Sequence, residues 1–313
     1  MPLLVGPEVT TPPPAETTDA VLITWIDPTG QEWPLTTRTL GWWLRRDVDG
    51  VFGAAPVDVV RDPAPRGGSR VRHVQPQSRV MTLALWVEGQ DHAEYLSRWR
   101  QLARCFARTR RDGPGTLQVA RPDGTVRQLT GVTYEGGMDG PVQPGWRYGT
   151  AVITLTADDP YWQDTTPTTV RREYAAAATS FFAPFMTISS SQTLGTTVAE
   201  NPGEVEAWPV WTITGPASGI TATNVTTGES WTLDPDATGI GHGDLLAGEQ
   251  VTVTTDPATI RGPDGSVWTA AIDWPSAVLW GLDPGDNSID FSVSGSGSGT
   301  SIELTFYPRY ETA

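Results

Sequence analysis

The sequence runs to 313 residues, enough for two domains that each bury a core, and it holds one Cys, which excludes an intramolecular disulfide. The formal net charge is −15, and all 21 Lys and Arg positions are Arg, a bias read as the mark of a GC-rich genome. Met1–Thr18 does not resemble a secretory signal and no apolar run approaches the ~20 residues that cross a bilayer, so the chain is expected to be soluble and not inserted in a membrane.

Residues 1–18, with Pro12-Pro13-Pro14, read as an extended N-terminal arm. Val21–Ile26, the turn Asp27-Pro28-Thr29-Gly30 and Glu32–Leu35 read as a hairpin. Gly41–Leu44 then runs into Gly50–Gly53, where aromatic residues beside glycines point to tightly turning strands. Arg61–Arg72 has a Pro-Ala-Pro-Arg-Gly-Gly core and reads as a long mobile loop carrying Arg61, Arg66, Arg70 and Arg72. Such a loop is either solvent-exposed or an arm that orders on a partner. Met81, Leu83, Leu85 and Val87 alternate with Thr82, Ala84 and Trp86, the pattern of a strand packed on both faces.

Asp91–Arg111 is the one strong helix signal. Asp91 caps it with Glu94 three positions on, and Tyr95, Trp99, Leu102 and Phe106 form a narrow apolar stripe. Arg100, Arg104 and Arg108 follow at spacing four on the opposite face, which is either solvated or set against an acidic partner surface. Asp112-Gly113-Pro114-Gly115 stops the helix. Thr116–Val119, Pro122-Asp123-Gly124 and Val126–Leu129 make another hairpin, and Trp146–Thr156 a long alternating strand. The unit spanning 19–172 is therefore expected to be α+β, a split barrel or sheet with a helix on one face.

Residues 173–195 read as a connector, although Phe181, Phe182, Phe185 and Met186 are too apolar for a free linker. From 196 to 313 helical periodicity is absent. Short strand candidates recur at Trp208–Thr214, Ala222–Val225, Ser230–Leu233, Gln250–Thr254, Val267–Ala270, Ser288–Val293 and Ile302–Tyr307. With their Gly and Pro punctuation they predict an antiparallel β-sandwich, and Ser294–Gly299 a mobile hairpin loop.

Charge divides the same way. Residues 1–195 hold 19 Arg against 20 acids, while 196–313 hold two Arg against 16, a net of −14 that excludes a nucleic-acid interface on the sandwich.

Catalytic signatures are missing. His73, His92 and His242 are isolated from any metal-ligand spacing, and nucleophile elbows, Walker loops and dinucleotide fingerprints do not occur. The carboxylate pairs Glu204/Glu206 and Asp158/Asp159 are what chance gives in so acidic a chain. Asp234-Pro235-Asp236 reads as a turn, since the Gly and Glu of a calcium loop do not follow it. No enzyme activity, cofactor or metal is expected. The tryptophans of the second unit offer a rival reading, a carbohydrate-binding sandwich, with Trp231 and Trp268 as candidate sugar contacts. Trp208 and Trp211 lie on opposite faces of one strand, so one of them belongs to the core.

The segments DHAEYLSRWRQLARCFARTRRDGPGTL, VARPDGTVRQL and VITLTADDPYW resemble the N-terminal domain of the siphophage distal tail protein family, particularly from phages of actinobacteria. NPGEVEAWPVWTITGPA, VLWGLDPGDNSIDFSV and ELTFYPRYE are similar to the same family's C-terminal sandwich, described as galectin-like. The resemblance implies a virion protein at the distal end of a tail, made in the host bacterial cytoplasm. It implies a hexameric ring formed by residues 19–172, joining the tail tube protein to the tail-tip hub or tail-associated protein, with the tape measure protein a further partner. DNA would pass through the central channel without specific binding. On this reading Arg100, Arg104, Arg108, Arg66, Arg70 and Arg72 are candidate assembly contacts. The alternative implied is a baseplate protein that holds host cell-wall sugar through the sandwich.

Overall fold

The computed structural model describes residues 20–140, 145–174 and 192–313. The expected arm and most of the expected connector lie outside them. In chain order the first elements are β1 (Leu22–Ile26), β2 (Glu32–Pro34), β3 (Trp42–Asp49), β4 (Val57–Pro63), β5 (Ser69–Pro76), β6 (Arg79–Glu88), α1 (His92–Ala107), β7 (Gly115–Ala120), β8 (Val126–Gly137) and β9 (Tyr148–Ala157). After them come β10 (Trp162–Asp164), β11 (Thr168–Glu173), β12 (Gln192–Asn201), β13 (Val210–Thr214), β14 (Gly219–Asn224), β15 (Ser230–Leu233), β16 (Gln250–Thr254), β17 (Thr259–Arg261), β18 (Gly285–Ser294), β19 (Ser301–Phe306) and β20 (Arg309–Tyr310). The protein is mainly β with a single α-helix among the described residues, as expected.

Two compact units emerge: residues up to Val51 with Ser78–Asp159, and Phe52–Gln77 with Pro160–Ala313. The boundary falls earlier than the expected 172, because β11 pairs along its whole length with β19 and so belongs to the sandwich. The expected connector also gives up its last residues, since β12 begins at Gln192 and pairs with β18.

In the first unit an antiparallel sheet runs in the order β2-β1-β7-β8-β9-β6-β3. Period-two alternation sets its faces: Met81, Leu83, Leu85 and Val87 are buried, while Val80 and Glu88 are exposed. The expectation that this strand is packed on both faces therefore fails in part, since Thr82 and Trp86 are only half covered.

α1 starts as its sequence requires. The Asp91 carboxylate accepts from the Glu94 N–H at 2.8 Å, and Glu94 accepts in turn from the Gln90 N–H at 2.6 Å. Tyr95, Trp99, Leu102, Cys105 and Phe106 are buried, and the Phe106 ring lies 5.4 Å from Trp25 on β1 and 6.1 Å from Tyr134 on β8. Burying such a ring stabilises the fold by about 1.5–3 kcal/mol. Gly115 is required where it stands, because a Cβ there would meet the Trp25 indole at 2.5 Å. The helix ends at Ala107 and tightens into a 3₁₀ turn over Arg108–Arg110 rather than continuing to Arg111.

The second unit is a sandwich of two antiparallel sheets, β11-β19-β13-β16-β17 and β12-β18-β14-β15. Its core centres on Trp211, whose ring meets Trp280, Trp231 and Phe291 edge-on at 4.9, 5.5 and 5.8 Å. Trp208, on the other face of the same chain segment, is half-buried, as the odd spacing predicts. One expected strand is absent. Val267 makes a single bridge to Arg261 and Thr269–Ala271 then curl into a 3₁₀ turn, because the Trp268 indole packs against Gly262, where a Cβ would lie 2.3 Å from it. Ser294–Gly299 does connect β18 to β19. The Asp234 carboxylate accepts from the Asp236 N–H at 2.9 Å, which makes that segment the expected turn.

Candidate assembly surfaces

The arginine row at 100, 104 and 108, along α1 and just past its end, divides into two kinds. Arg100 and Arg104 are exposed. Arg108 is not a solvated side chain of the same row, because its guanidinium pairs with the Asp27 carboxylate. Asp27 is 2% exposed and closes the β1–β2 turn; it also accepts from Thr29 N at 2.9 Å, Thr29 Oγ1 at 2.5 Å and Trp33 Nε1 at 3.1 Å. Burial pushes its pKa upward, but the bonds from Thr29, Trp33 and Arg108 outweigh that and hold it below the ordinary carboxylate value of 3.8. Arg104, Ala107, Arg108 and Arg111 line a shallow cleft of about 330 Å³ at the end of the helix.

The expected mobile loop carrying Arg66, Arg70 and Arg72 is instead a two-stranded ribbon, β4 with β5. Composition hid it: the Pro and Gly residues sit in the turn, and the flanking Val57-Asp58-Val59-Val60 and Val71-Arg72-His73-Val74 are β-branched strand formers. Arg66 lies in the turn and Arg70 opposite Asp62, while Arg72 donates to the Asp62 carboxylate. A bulge opposite Val60 and Arg61 shifts the register so that Arg61 faces Val71, while Val59 faces Val74 and Val57 faces Pro76. Cross-strand partners share a face, so Val57, Val59, Val71 and Val74 stand on one side. Val57, Val71 and Val74 are exposed, and no further described strand pairs with either edge of the ribbon.

A second exposed surface lies on the first unit's sheet, on the face away from α1. Trp43, Trp86, Tyr148 and Trp146 follow one another with ring centroids 6.0, 5.1 and 6.3 Å apart, and the Arg38 guanidinium lies 5.4 Å over Trp43. Sequence reasoning missed this strip. The signal was there in the even positions of β6 and β9, opposite the buried odd ones, but it was absorbed into a core reading.

The candidate sugar contacts do not survive. Trp231 is 1% exposed and Trp268 4%, so neither presents a ring face to a ligand. The cause is that Trp231 packs on Trp211 and Trp268 under Gly262. The His242 ring lies tilted at 5.0 Å from Trp268, with a ring nitrogen 3.7 Å from Glu249. His73 is exposed on β5, and His92 bonds the Trp146 carbonyl at 2.6 Å. The structure does not assemble these histidines into a site.

The carboxylate pairs are likewise tied to local structure. Glu204 accepts from the Glu311 N–H at 3.0 Å. Glu206 has its acidity weakened by burial and by the nearby Asp283 charge, against the opposing pull of Arg309. Asp158 and Asp159 are exposed. Among the described residues, no group of three His, Cys, Asp or Glu is placed to hold a metal ion, and no helix is long and apolar enough to cross a membrane.

No protein-family model matches the sequence, and no curated protein matches it. Solved structures do. The chain is similar in fold to the SPP1 Dit (gp 19.1) protein, described as a paradigm of the hub adsorption apparatus in Gram-positive infecting phages, with TM-score 0.63 at 11% identity over 93% of this chain and 99% of that one. It is also similar to a chain of the phage p2 baseplate in its activated conformation, solved with Sr and with Ca, with TM-score 0.53 at 8% identity over 94% of this chain and 100% of that one.

Proposed function

We propose that this protein is a structural component of a long, non-contractile phage tail, a distal tail protein that assembles into a hexameric ring. The ring would join the tail tube protein to the tail-tip hub or tail-associated protein and to the tape measure protein, and it would surround the channel through which DNA leaves. It acts as a virion scaffold and not as an enzyme. The segments quoted from the sequence fit a phage infecting actinobacteria, with the chain synthesised in the host cytoplasm.

The observation that carries the assembly reading is the bare ribbon β4–β5. A two-stranded ribbon standing alone is marginal in water, and its unpaired edges and exposed valines are a template for another chain. A second copy of the protein completes it most economically, since closed symmetric rings reuse one heterologous contact. The likeness in fold to a phage hub protein supports the same reading.

Light scattering and class-averaged electron images of the full chain test it. A ring with a central pore is expected, and replacing residues 57–76 by a short Gly-Ser link should leave a folded monomer. A wild-type protein that stays monomeric alone and also fails to join the tail tube protein would overturn the proposal.

A further inference from the structure

We propose that the aromatic strip on the first unit's sheet is a polyproline-binding surface, and that its occupant is the segment around Pro12-Pro13-Pro14 of the same chain. That segment lies outside the described residues; the strip and the sequence supply the chemistry.

The strip crosses three strands. Trp43 on β3 stands opposite Trp86 on β6, and Trp86 opposite Thr150 on β9, close to Tyr148 on the same strand. The Trp86 and Tyr148 rings stack at 14°, while Trp43 tilts by 32° from Trp86 and Trp146 by 34° from Tyr148. Such a ladder offers flat apolar ridges with shallow grooves between them, the kind of surface on which a proline helix packs its rings.

Hydrogen bonding selects the same ligand. The Trp86 indole N–H donates to Glu88 at 3.2 Å, but the Trp43 and Trp146 indole N–H groups and the Tyr148 hydroxyl have no acceptor among the described residues. A proline has a backbone carbonyl and no N–H, so Pro12 to Pro14 bring acceptors alone to a row of donors. Charge agrees. Residues 1–19 carry Glu8, Glu16 and Asp19 and no basic side chain. The strip is flanked by Arg38 over Trp43, by Arg45 bonded to Thr150, and by Arg147 between Trp146 and Tyr148. Of the nearby acids, Glu88 accepts from Trp86 and Asp47 lies 4.0 Å from Arg45.

Connectivity brings the segment to the strip. The Leu35 N–H donates to the Ile23 carbonyl at 2.7 Å and the Leu44 N–H donates to the Leu35 carbonyl at 2.6 Å, so β1 lies two backbone hydrogen bonds from β3. Two strand spacings amount to about 10 Å. From Ala20 back to Pro14 an extended proline helix reaches about 19 Å, at roughly 3.1 Å per residue. The chain that enters β1 therefore starts near Trp43 and is long enough to lay its prolines over Trp86 and Tyr148. Tethering also holds it there at an effective concentration in the millimolar range, which favours it over a free partner of equal affinity. None of this depends on ring formation.

The test uses the full chain with Pro12, Pro13 and Pro14 all changed to Gly, which vacates the strip. The indole N–H NMR signals of Trp43, Trp86 and Trp146 should shift from their wild-type positions, while that of Trp211 stays in place. A synthetic peptide of residues 1–18, added up to about 2 mM, should bind this variant saturably and restore the wild-type positions. Adding Trp86→Ala, or Tyr148→Ala at a more exposed ring, should weaken the peptide at least about tenfold, and adding Trp274→Ala should leave its binding unchanged. A nitroxide on Thr11→Cys, selective because Cys105 is buried, should broaden the Trp86 indole signal of its own molecule and not that of a spin-free copy mixed with it. Strip signals that ignore the proline changes, equal peptide binding by a folded Tyr148→Ala variant, or broadening seen only between copies would each overturn the proposal.

Discussion

The Arg108 guanidinium, at the end of the helix, pairs with the Asp27 carboxylate in the first hairpin turn, 81 residues earlier in the chain. The pair fastens the end of α1 to the edge of the sheet beneath it, and it removes Arg108 from the free arginine row that the spacing at 100, 104 and 108 describes. Reversing all three arginines is therefore not neutral to the fold, contrary to the expectation from the helical wheel alone.

Arg108→Glu should destabilise the protein by roughly 3–5 kcal/mol, because it sets a second carboxylate against a buried one. The pKa of Asp27 in the native state lies below its unfolded value. Its stabilisation is thus fully present above the ordinary carboxylate range and is lost as pH falls through the native value. Urea unfolding from pH 7 down to about 3 should show that loss in the wild type and much less of it in Asp27→Asn.

Arg100→Glu with Arg104→Glu should change stability by no more than about 0.5 kcal/mol, since both side chains are exposed. If this face is a ring contact, the double variant loses oligomer mass in light scattering. An unchanged mass would return these two residues to the role of a solvated face.

Cys105 is buried on α1, and burial, together with the Asp27 charge nearby, pushes its thiol far above the ordinary value. A thiol reagent should leave the native protein unlabelled at pH 8 and modify one Cys once urea unfolds it. Rapid native labelling would show that the helix does not pack on the sheet as described.

Trp211→Ala should cost about 3–5 kcal/mol, because three aromatic rings lean on that indole. Trp231→Ala should also lower the melting temperature. Trp274→Ala, at an exposed indole, should melt close to wild type.

What the sequence by itself determined is local and periodic. The cap at Asp91 with Glu94, the stripe Tyr95-Trp99-Leu102-Phe106, the Asp123-Gly124 turn and the alternation of β6 all follow from spacings of two, three or four residues. The ribbon β4–β5 was equally local, but its valines were outweighed by the Pro and Gly of its turn.

Tertiary structure decided which of several equivalent residues meets which neighbour. Alternation says that Trp231 alternates with its strand neighbours, but the opposing sheet decides that Trp231 and Trp268 are covered while Trp274 is not. Spacing puts Arg108 in line with Arg104, but the folding of the first hairpin against the helix brings Asp27 to it. Faces and turns are properties of a few consecutive residues. Burial and ion pairing depend on which distant segment arrives, and that is settled by packing the whole core at once.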